Sequence, residues 1–255
     1  IDTLQTILTA GNISISKGIN FPYTNLLVKS ANDVSEINLK TSANETFSDA
    51  ELNAQLTTLS DGIKLHFYPS PFIINEKKWM LDKDGELIMR KDFINANDIR
   101  FHENDQQLVL FSEMDDEKDE QKIVLNVSNF ILEDFIPFAF KDPKIEGTLT
   151  GLITVTDPLG KSIVEFLGRA DSLKIENEQI GSISLQSNFN LEKEELTFQT
   201  QNIDTVNIFT ANGKFRYKDS VNSIEARLTG KKIQLGIIEP YLTDIFDEFN
   251  GNASA

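Results

Sequence analysis

Residues 52–67, LNAQLTTLSDGIKLHF, decide the fold. Apolar side chains occupy every second position on both sides of a central turn. They are Leu52, Ala54 and Leu56 before the turn, and Ile63, Leu65 and Phe67 after it. A period of two is typical of strands with one buried face. Because Ser60-Asp61-Gly62 between the two runs is a turn signal, the stretch predicts a β-hairpin.

The same alternation recurs along most of the chain. It is seen at Ile13 and Ile15; Ile37 and Leu39; Ile123, Leu125 and Val127; Leu196 and Phe198; Ile224, Ala226 and Leu228; and Ile233 and Leu235. Turn signals at Asp82-Lys83-Asp84-Gly85, Asn104-Asp105, Asp157-Pro158-Leu159-Gly160 and Ala211-Asn212-Gly213 separate such runs. Long helical patterns between strands are missing, which argues against parallel βαβ units. The sequence therefore predicts an all-β fold: an elongated, curved, mainly antiparallel sheet that forms an open, solenoid-like groove.

Two segments depart from this pattern in the same way. Asn129–Phe140 has apolar residues spaced by three and four, which predicts a short amphipathic helix capped by Asn129. Ile237–Phe249 has a similar composition and also follows a predicted strand. Their likeness suggests a repeat, so we expect one continuous β-rich fragment over residues 1–255, with repeat units 63–151 and 152–255.

Composition limits the possible functions. The chain has 255 residues, 40% of them hydrophobic, which is enough for a substantial core. Its net charge of −16 disfavours binding to nucleic acid or to an acidic membrane surface. Without cysteine, the chain has no disulfide framework and no thiolate metal site. Because it begins with Ile1 rather than Met, we interpret it as a fragment of a longer protein.

Several motifs in their order along the chain resemble the TamB/AsmA-like family of cell-envelope proteins, in the form typical of the Bacteroidetes. They are Trp79-Met-Leu-Asp82, Gly85-Glu-Leu-Ile88, Asn97–Leu110, the Phe130–Phe140 segment, Ile145–Gly151, Ala170–Ile175, Ile180-Gly181 and Ile237–Leu242. The acidic run Glu113–Glu120 departs from the family pattern, and we expect it in a hairpin loop.

The resemblance implies a taco-shaped sheet in a periplasmic protein that is tethered to the inner membrane through a segment missing from this chain. Its apolar groove would carry phospholipid acyl chains between the inner and outer membranes, or assist outer-membrane protein assembly and secretion with a β-barrel assembly partner. By strand phase, the groove lining is predicted to be Ile63, Leu65, Phe67, Leu87, Met89, Ile99, Phe101, Leu108, Leu110, Ile123, Leu125, Val127, Leu149, Ile153, Val155, Leu173, Ile175, Ile183, Leu185, Leu196, Phe198, Leu228, Ile233 and Leu235.

Other interpretations of the same pattern stay open. Alternating apolar residues also suit a closed β-sandwich core, so an extracellular β-sandwich or β-solenoid for adhesion or glycan binding is the alternative. An enzyme on a β-helix would need acids gathered in one cleft. We expect no enzyme and no cofactor, because the two histidines, His66 and His102, have no metal-binding spacing and no nucleophile motif is present.

Overall fold

The structure is a computed structural model that describes residues 3–16, 19–42, 47–115, 120–139, 144–176, 178–205, 207–216, 223–234 and 252–253. About 80% of the described residues lie in strands and only a few in a helix, and every described strand pairing is antiparallel. The prediction of a mainly antiparallel all-β fold is confirmed. The chain forms two compact units, Ile1–Leu125 and Asn126–Ala255, in each of which the sheet is open and curved.

Eleven described strands lie wholly in unit 1. They are β1 (Thr3–Ser16), β2 (Ile19–Ala31), β3 (Val34–Ser42), β4 (Phe47–Leu59), β5 (Gly62–Phe67), β6 (Ser70–Ile74), β7 (Lys77–Leu81), β8 (Glu86–Arg90), β9 (Phe93–Asn97), β10 (Ile99–Glu103) and β11 (Gln106–Asp115). The predicted turns at 60–62, 82–85 and 104–105 join successive strands. Between β6 and β7, Asn75 and Glu76 have φ values of 46° and 64°, which suit the twist of a tight hairpin.

Unit 1 begins as a meander and then divides. Strands β1 to β4 pair in chain order. One half of β4 pairs with β5, which continues through β8 to β9, while the other half pairs with β6, which continues through β7 and β10 to β11. A hydrogen bond joins the ends of the two branches, from Ala96 N on β9 to Ser112 Oγ on β11 at 2.8 Å.

The remaining elements follow in chain order. They are β12 (Glu120–Ile131), α1 (Leu132–Ala139), β13 (Ile145–Thr156), β14 (Ile163–Ile175), β15 (Glu178–Asn190), β16 (Glu195–Asn202), β17 (Ile208–Arg216), β18 (Ser223–Gln234) and β19 (Asn252–Ala253). Strands β13 to β19 pair consecutively. Bulges interrupt the β13–β14 register at Glu146/Thr148 and the β14–β15 register at Ala170/Leu173.

The helix begins later than the sequence predicts. Asn129 has a φ of 50° and lies in β12, where its backbone N–H donates to Thr150 Oγ1 at 3.1 Å. The helix begins at Leu132, so Asn129 is not at the capping position directly before it, and the chain stays extended through Ile131. Glu133 and Asp134 occupy the first turn of α1, where carboxylates interact favourably with the free backbone N–H groups.

A second correction concerns Ala211-Asn212-Gly213. These residues do not form a turn, because they lie in the middle of β17 and pair with β16 and β18. The glycine serves close packing instead: a Cβ on Gly213 would stand 2.6 Å from Phe198 Cζ. Among the described residues, no helix has the length and hydropathy needed to cross a membrane.

Candidate functional site

Strand register gathers the alternating apolar residues of unit 1 on one face. Directly opposed residues of antiparallel strands share a face. Ala54 opposes Ile37 and Phe67, while Leu65 opposes Leu56 and Leu87. We call this side the apolar face of unit 1. It carries Leu4, Leu8, Leu26, Val28, Ile37, Leu39, Leu52, Ala54, Leu56, Ile63, Leu65, Phe67, Leu87, Met89, Ile94, Ala96, Phe72, Trp79, Leu81, Ile99, Phe101, Leu108 and Leu110.

Nine predicted lining residues, from Ile63 to Leu110, belong to this face, and all nine are half-buried. The burial of side chains differs along this face. Trp79 is fully buried and stacks on Phe101 with ring centroids 4.9 Å apart, so this part of the face is a closed core. At β1 the face is open, since Leu4 and Leu8 are 65% and 56% exposed. Of the predicted residues on β12, Ile123 and Leu125 are half-buried and Val127 is buried.

The other side of unit 1 carries polar and charged side chains that bond to each other across strands. Asn38 Nδ2 donates to Glu51 Oε1 at 2.8 Å, and Lys64 Nζ lies 2.5 Å from Glu86 Oε1. The hydrogen bond from Lys64 holds the pKa of the Glu86 carboxyl below its ordinary value. His66 Nδ1 lies 3.4 Å from the same carboxylate. Polar groups thus bond to each other on this side, which also carries a few apolar side chains such as Ile7 and the Leu27 that opposes it.

Unit 2 has the same two-sided construction over longer strands. One register row joins Ile153, Phe166, Ser187 and Phe198, and a parallel row joins Val155, Val164, Phe189 and Leu196. We call this side the apolar face of unit 2. It carries Leu149, Ile153, Val155, Val164, Phe166, Ala170, Ile183, Leu185, Phe189, Leu196, Phe198, Phe215 and Leu228, and none of these register rows contains a charged residue.

The opposite side of unit 2 is polar. Glu195 Oε2 accepts from Arg216 Nε at 2.7 Å and lies 2.9 Å from Lys214 Nζ. The hydrogen bonds from Arg216 and Lys214 lower the pKa of the Glu195 carboxyl. A register row of amides, Gln186, Gln199 and Asn212, crosses the same side. Leu152 and Leu167 are two apolar residues on this side, at 42% and 62% exposed.

Helix α1 closes one end of the apolar face of unit 2. Leu132 packs with Leu173 and Ile183 in a buried cluster that also includes Ala170 and Ile180. Leu149 and Ile175, two further predicted lining residues, pack against this cluster. The rings of Phe130 and Phe135 stack at 4.3 Å, and Glu133 Oε2 accepts from Gly147 N at 3.1 Å. Leu173 and Ile183 therefore belong to a sealed core, whereas Leu185, Leu196 and Phe198 are half-buried beyond it.

Sequence reasoning did not include several residues of the apolar face of unit 2, among them Val164, Phe166, Phe189 and Phe215. Phe166 alternates with Val164, Gly168 and Ala170, but the neighbouring Leu167 obscures the period of two. Phe189 and Phe215 lie near the ends of their strands. Each is an even number of residues from a residue of the same face, Leu185 and Gly213 respectively, and this spacing could have identified them.

Several predictions concern residues that the structure does not describe. Leu235, the Ile237–Phe249 segment and residues 116–119 of the acidic run lie outside the described residues. The side chain of Ile233, another predicted lining residue, is likewise not described. The repeat therefore stays a prediction.

The two histidines each face one carboxylate. Besides the contact of His66 with Glu86, His102 Nε2 lies 3.1 Å from Asp82 Oδ1. In the described part of the chain, no three histidine or acidic residues are grouped closely enough to hold a metal ion. Each histidine thus makes a polar contact with a single carboxylate, which suits a structural role.

Comparison of the chain with protein families, with curated proteins and with solved structures found no match. In each unit, one side of the sheet carries a mainly apolar, partly buried surface, and in unit 2 the register rows of that surface contain no charged residue.

Proposed function

We propose that the apolar faces of the two units bind acyl chains of phospholipids, and that the chain is a segment of a TamB/AsmA-like envelope protein. The observation that carries the proposal is the separation of the two faces. In unit 2, Ile153, Phe166 and Phe198 share one side, while charged groups such as Glu195 and Lys214 lie on the other.

The energetics favour an acyl ligand on such a face. Each methylene removed from water contributes about 0.8 kcal/mol, so eight methylenes laid along the face contribute about 6 kcal/mol without any directed contact. A row of similar side chains, such as Val155, Val164 and Leu196, offers many weak sites rather than one tight site. Weak and repeated contacts suit a surface along which a lipid moves. The protein then works by binding, with neither turnover nor cofactor.

The cellular setting follows from the resemblance. The proposed site of action is the periplasm, with the parent protein tethered to the inner membrane and working with an outer-membrane β-barrel assembly partner. The net charge of −16 supports contact with acyl chains rather than with anionic headgroups, because acidic surfaces repel each other.

Photocrosslinking tests the proposal in unit 2. p-Benzoylphenylalanine at Leu185 is on the apolar face, and at the adjacent Gln186 it is on the polar face. With vesicles of dioleoylphosphatidylcholine, which carry no net charge, we expect a lipid adduct by mass spectrometry at position 185 and little at 186. Equal labelling at both positions, or none at either, would discard acyl binding by this face.

The same comparison can be made in unit 1. Leu65 is on the apolar face, and the adjacent Lys64 is on the polar face. Labelling at Leu65 with none at Lys64 would extend the proposal to this unit, whereas labelling in unit 2 alone would confine lipid binding to residues 126–255.

Glycan binding is the second candidate, and one observation favours it. Unit 2 has a shallow depression of about 250 Å³ that is lined mainly by residues of the polar side, Gln186, Asn188, Thr197, Gln199 and Asn212, together with Ser187 and Phe198 of the apolar face. Amides and hydroxyls in register can hydrogen-bond to sugar hydroxyls. A glycan array probed with the chain would give hits that disappear in Gln199→Ala. The absence of hits would remove this candidate.

A further inference from the structure

The phenyl ring of Phe198 lies down on the neighbouring strand. Phe198 on β16 directly opposes Gly213 on β17. Its Cζ and Cε1 atoms are 2.6 and 2.7 Å from the point where a Cβ would stand on Gly213. That point is one bond above the backbone, so the far end of the ring lies close to the sheet surface rather than projecting away from it.

Phe166 is arranged in the same way over two glycines. Gly151 and Gly168 directly oppose each other between β13 and β14. Phe166 Cζ is 2.7 Å from the Cβ position of Gly168, and its Cε2 is 3.0 Å from that of Gly151. The two backbones also approach closely here, because Thr150 O is the atom nearest to the Cβ position of Gly168, and Leu167 O, at 2.6 Å, is nearest to that of Gly151. Glycine allows the ring and the paired backbones to come together, since any other side chain would meet both.

Ring orientation decides how much room a ligand has. A phenylalanine side chain that points away from a sheet occupies the space above it, whereas a ring lying on the sheet presents its flat side. Phe166 and Phe198 are in one register row, with Ser187 between them, so both rings bear on the same part of the apolar face.

We propose that Gly213 and the Gly151–Gly168 pair are positioning residues: they hold Phe198 and Phe166 against the sheet and so keep the apolar face of unit 2 open to an acyl chain. This inference rests on the proposed function of that face. A ring that covers a glycine also stabilises a sheet, without any ligand. The positioning role and the purely stabilising role predict different effects on acyl-chain binding when the Phe198 ring is pushed away from the sheet and when it is then replaced by a smaller side chain.

The test uses the whole chain and a pyrene-labelled lysophosphatidylcholine as the probe. In Gly213→Ala the new methyl group meets the Phe198 ring first, and the backbone oxygen of Glu225 next, at 2.8 Å. The ring must then rise into the space of the ligand, and we expect binding to weaken about tenfold. In the double variant Gly213→Ala/Phe198→Leu the obstruction is removed, and the affinity should return to within about twofold of the parent chain.

Asn212→Ala is the matched control, because it changes the adjacent residue on the polar side of β17 and should leave the affinity unchanged. Chemical unfolding of each variant is measured alongside, since a merely structural glycine would lower stability without rescue of binding by Phe198→Leu.

The outcomes separate this inference from the proposed function. If the parent chain does not bind the probe, acyl binding and this inference both fail. If the parent binds and Gly213→Ala binds equally well, or if Phe198→Leu does not restore a weakened variant, only the positioning role fails. Weakening with rescue supports it.

A second measurement serves if Gly213→Ala does not fold. With 4-fluorophenylalanine in place of Phe198 and Gly213 retained, the fluorine resonance should shift as the probe binds. A resonance that stays unchanged at saturation would overturn the inference.

Discussion

Lys64 and Glu86 form an ion pair of 2.5 Å on the polar side of unit 1, while their neighbours Leu65 and Leu87 oppose each other on the apolar face. Strands β5 and β8 thus alternate between two chemistries at successive residues. A shift of the register by one residue would exchange them, so the ion pair and the leucine pair specify the same alignment.

The ion pair predicts a pH-dependent stability. The pKa of Glu86 is lowered from 4.5 by its hydrogen bond with Lys64. A carboxyl with a lowered pKa stabilises the folded state above its ordinary pKa, and this contribution is lost as the pH falls through the lowered value. Because the pair is partly exposed, Glu86→Gln should cost about 0.5 kcal/mol at pH 7. Urea unfolding at pH 7 and at pH 3 should show the difference between the variant and the parent chain only at pH 7.

A difference that persisted unchanged at pH 3 would contradict the electrostatic origin. Glu76→Gln, at an exposed turn position of the same unit and with no described ion pair or side-chain hydrogen bond, is the matched control.

The sealed and open parts of the apolar face of unit 2 should respond differently to the same kind of truncation. Ile183 is 9% exposed within the cluster under α1, whereas Leu228 is 49% exposed. Ile183→Ala removes buried methyl groups and leaves a cavity, which should cost about 3 kcal/mol. Leu228→Ala should cost less than about 1 kcal/mol. Urea unfolding followed by circular dichroism measures both, and equal losses would show that the two sites are equally covered.

Trp79 provides a probe for the core of unit 1. It is the single tryptophan of the chain, is fully buried, and stacks on Phe101, which also meets Phe72 edge to face at 5.1 Å. Phe101→Ala should lower the free energy of unfolding of the unit by about 3 kcal/mol. It should also move the fluorescence emission of Trp79 to longer wavelength, because the indole ring becomes exposed to water. Val34→Ala, at a partly exposed position, should change neither quantity.

The sequence predicts which residues of a strand share a face, because one face of each strand is apolar. In β5, β8, β10 and β11 the predicted lining residues share a face, since alternation and register obey the same period of two. The start of the helix could not be predicted in this way. Asparagine is a common capping residue, but Asn129 lies in a strand, and its backbone N–H bonds to Thr150, a residue 21 positions away.

The burial of a side chain also depends on contacts with residues distant in the sequence. Leu173 and Leu185 look alike in their strands, yet Leu173 is buried in the cluster with Leu132 of α1, and Leu185 is only half-buried. The role of Gly213 was missed for the same reason. Asn-Gly is a common turn signal, and only the position of the Phe198 ring shows why glycine stands there in a strand.

Asn207 predicts a stability change with an unusual pH dependence. It is fully buried, and its Nδ2 donates to the backbone oxygens of Gln179 and Ile180, each at 2.9 Å. In Asn207→Asp a carboxylate would face two carbonyl oxygens and could not donate, which should cost about 3 kcal/mol or more at pH 8. Burial and repulsion would raise the pKa of this new carboxyl, and its protonated form could again donate one hydrogen bond.

The variant should therefore lose less stability, relative to the parent chain, as the pH is lowered from 8 toward 5.5, because a raised pKa in the folded state favours folding at lower pH. Asn207→Ala, which has no titratable group, should show a constant deficit over the same range. Urea midpoints at several pH values separate the two. A constant deficit for Asn207→Asp would contradict a raised pKa at this position and the burial from which it was predicted.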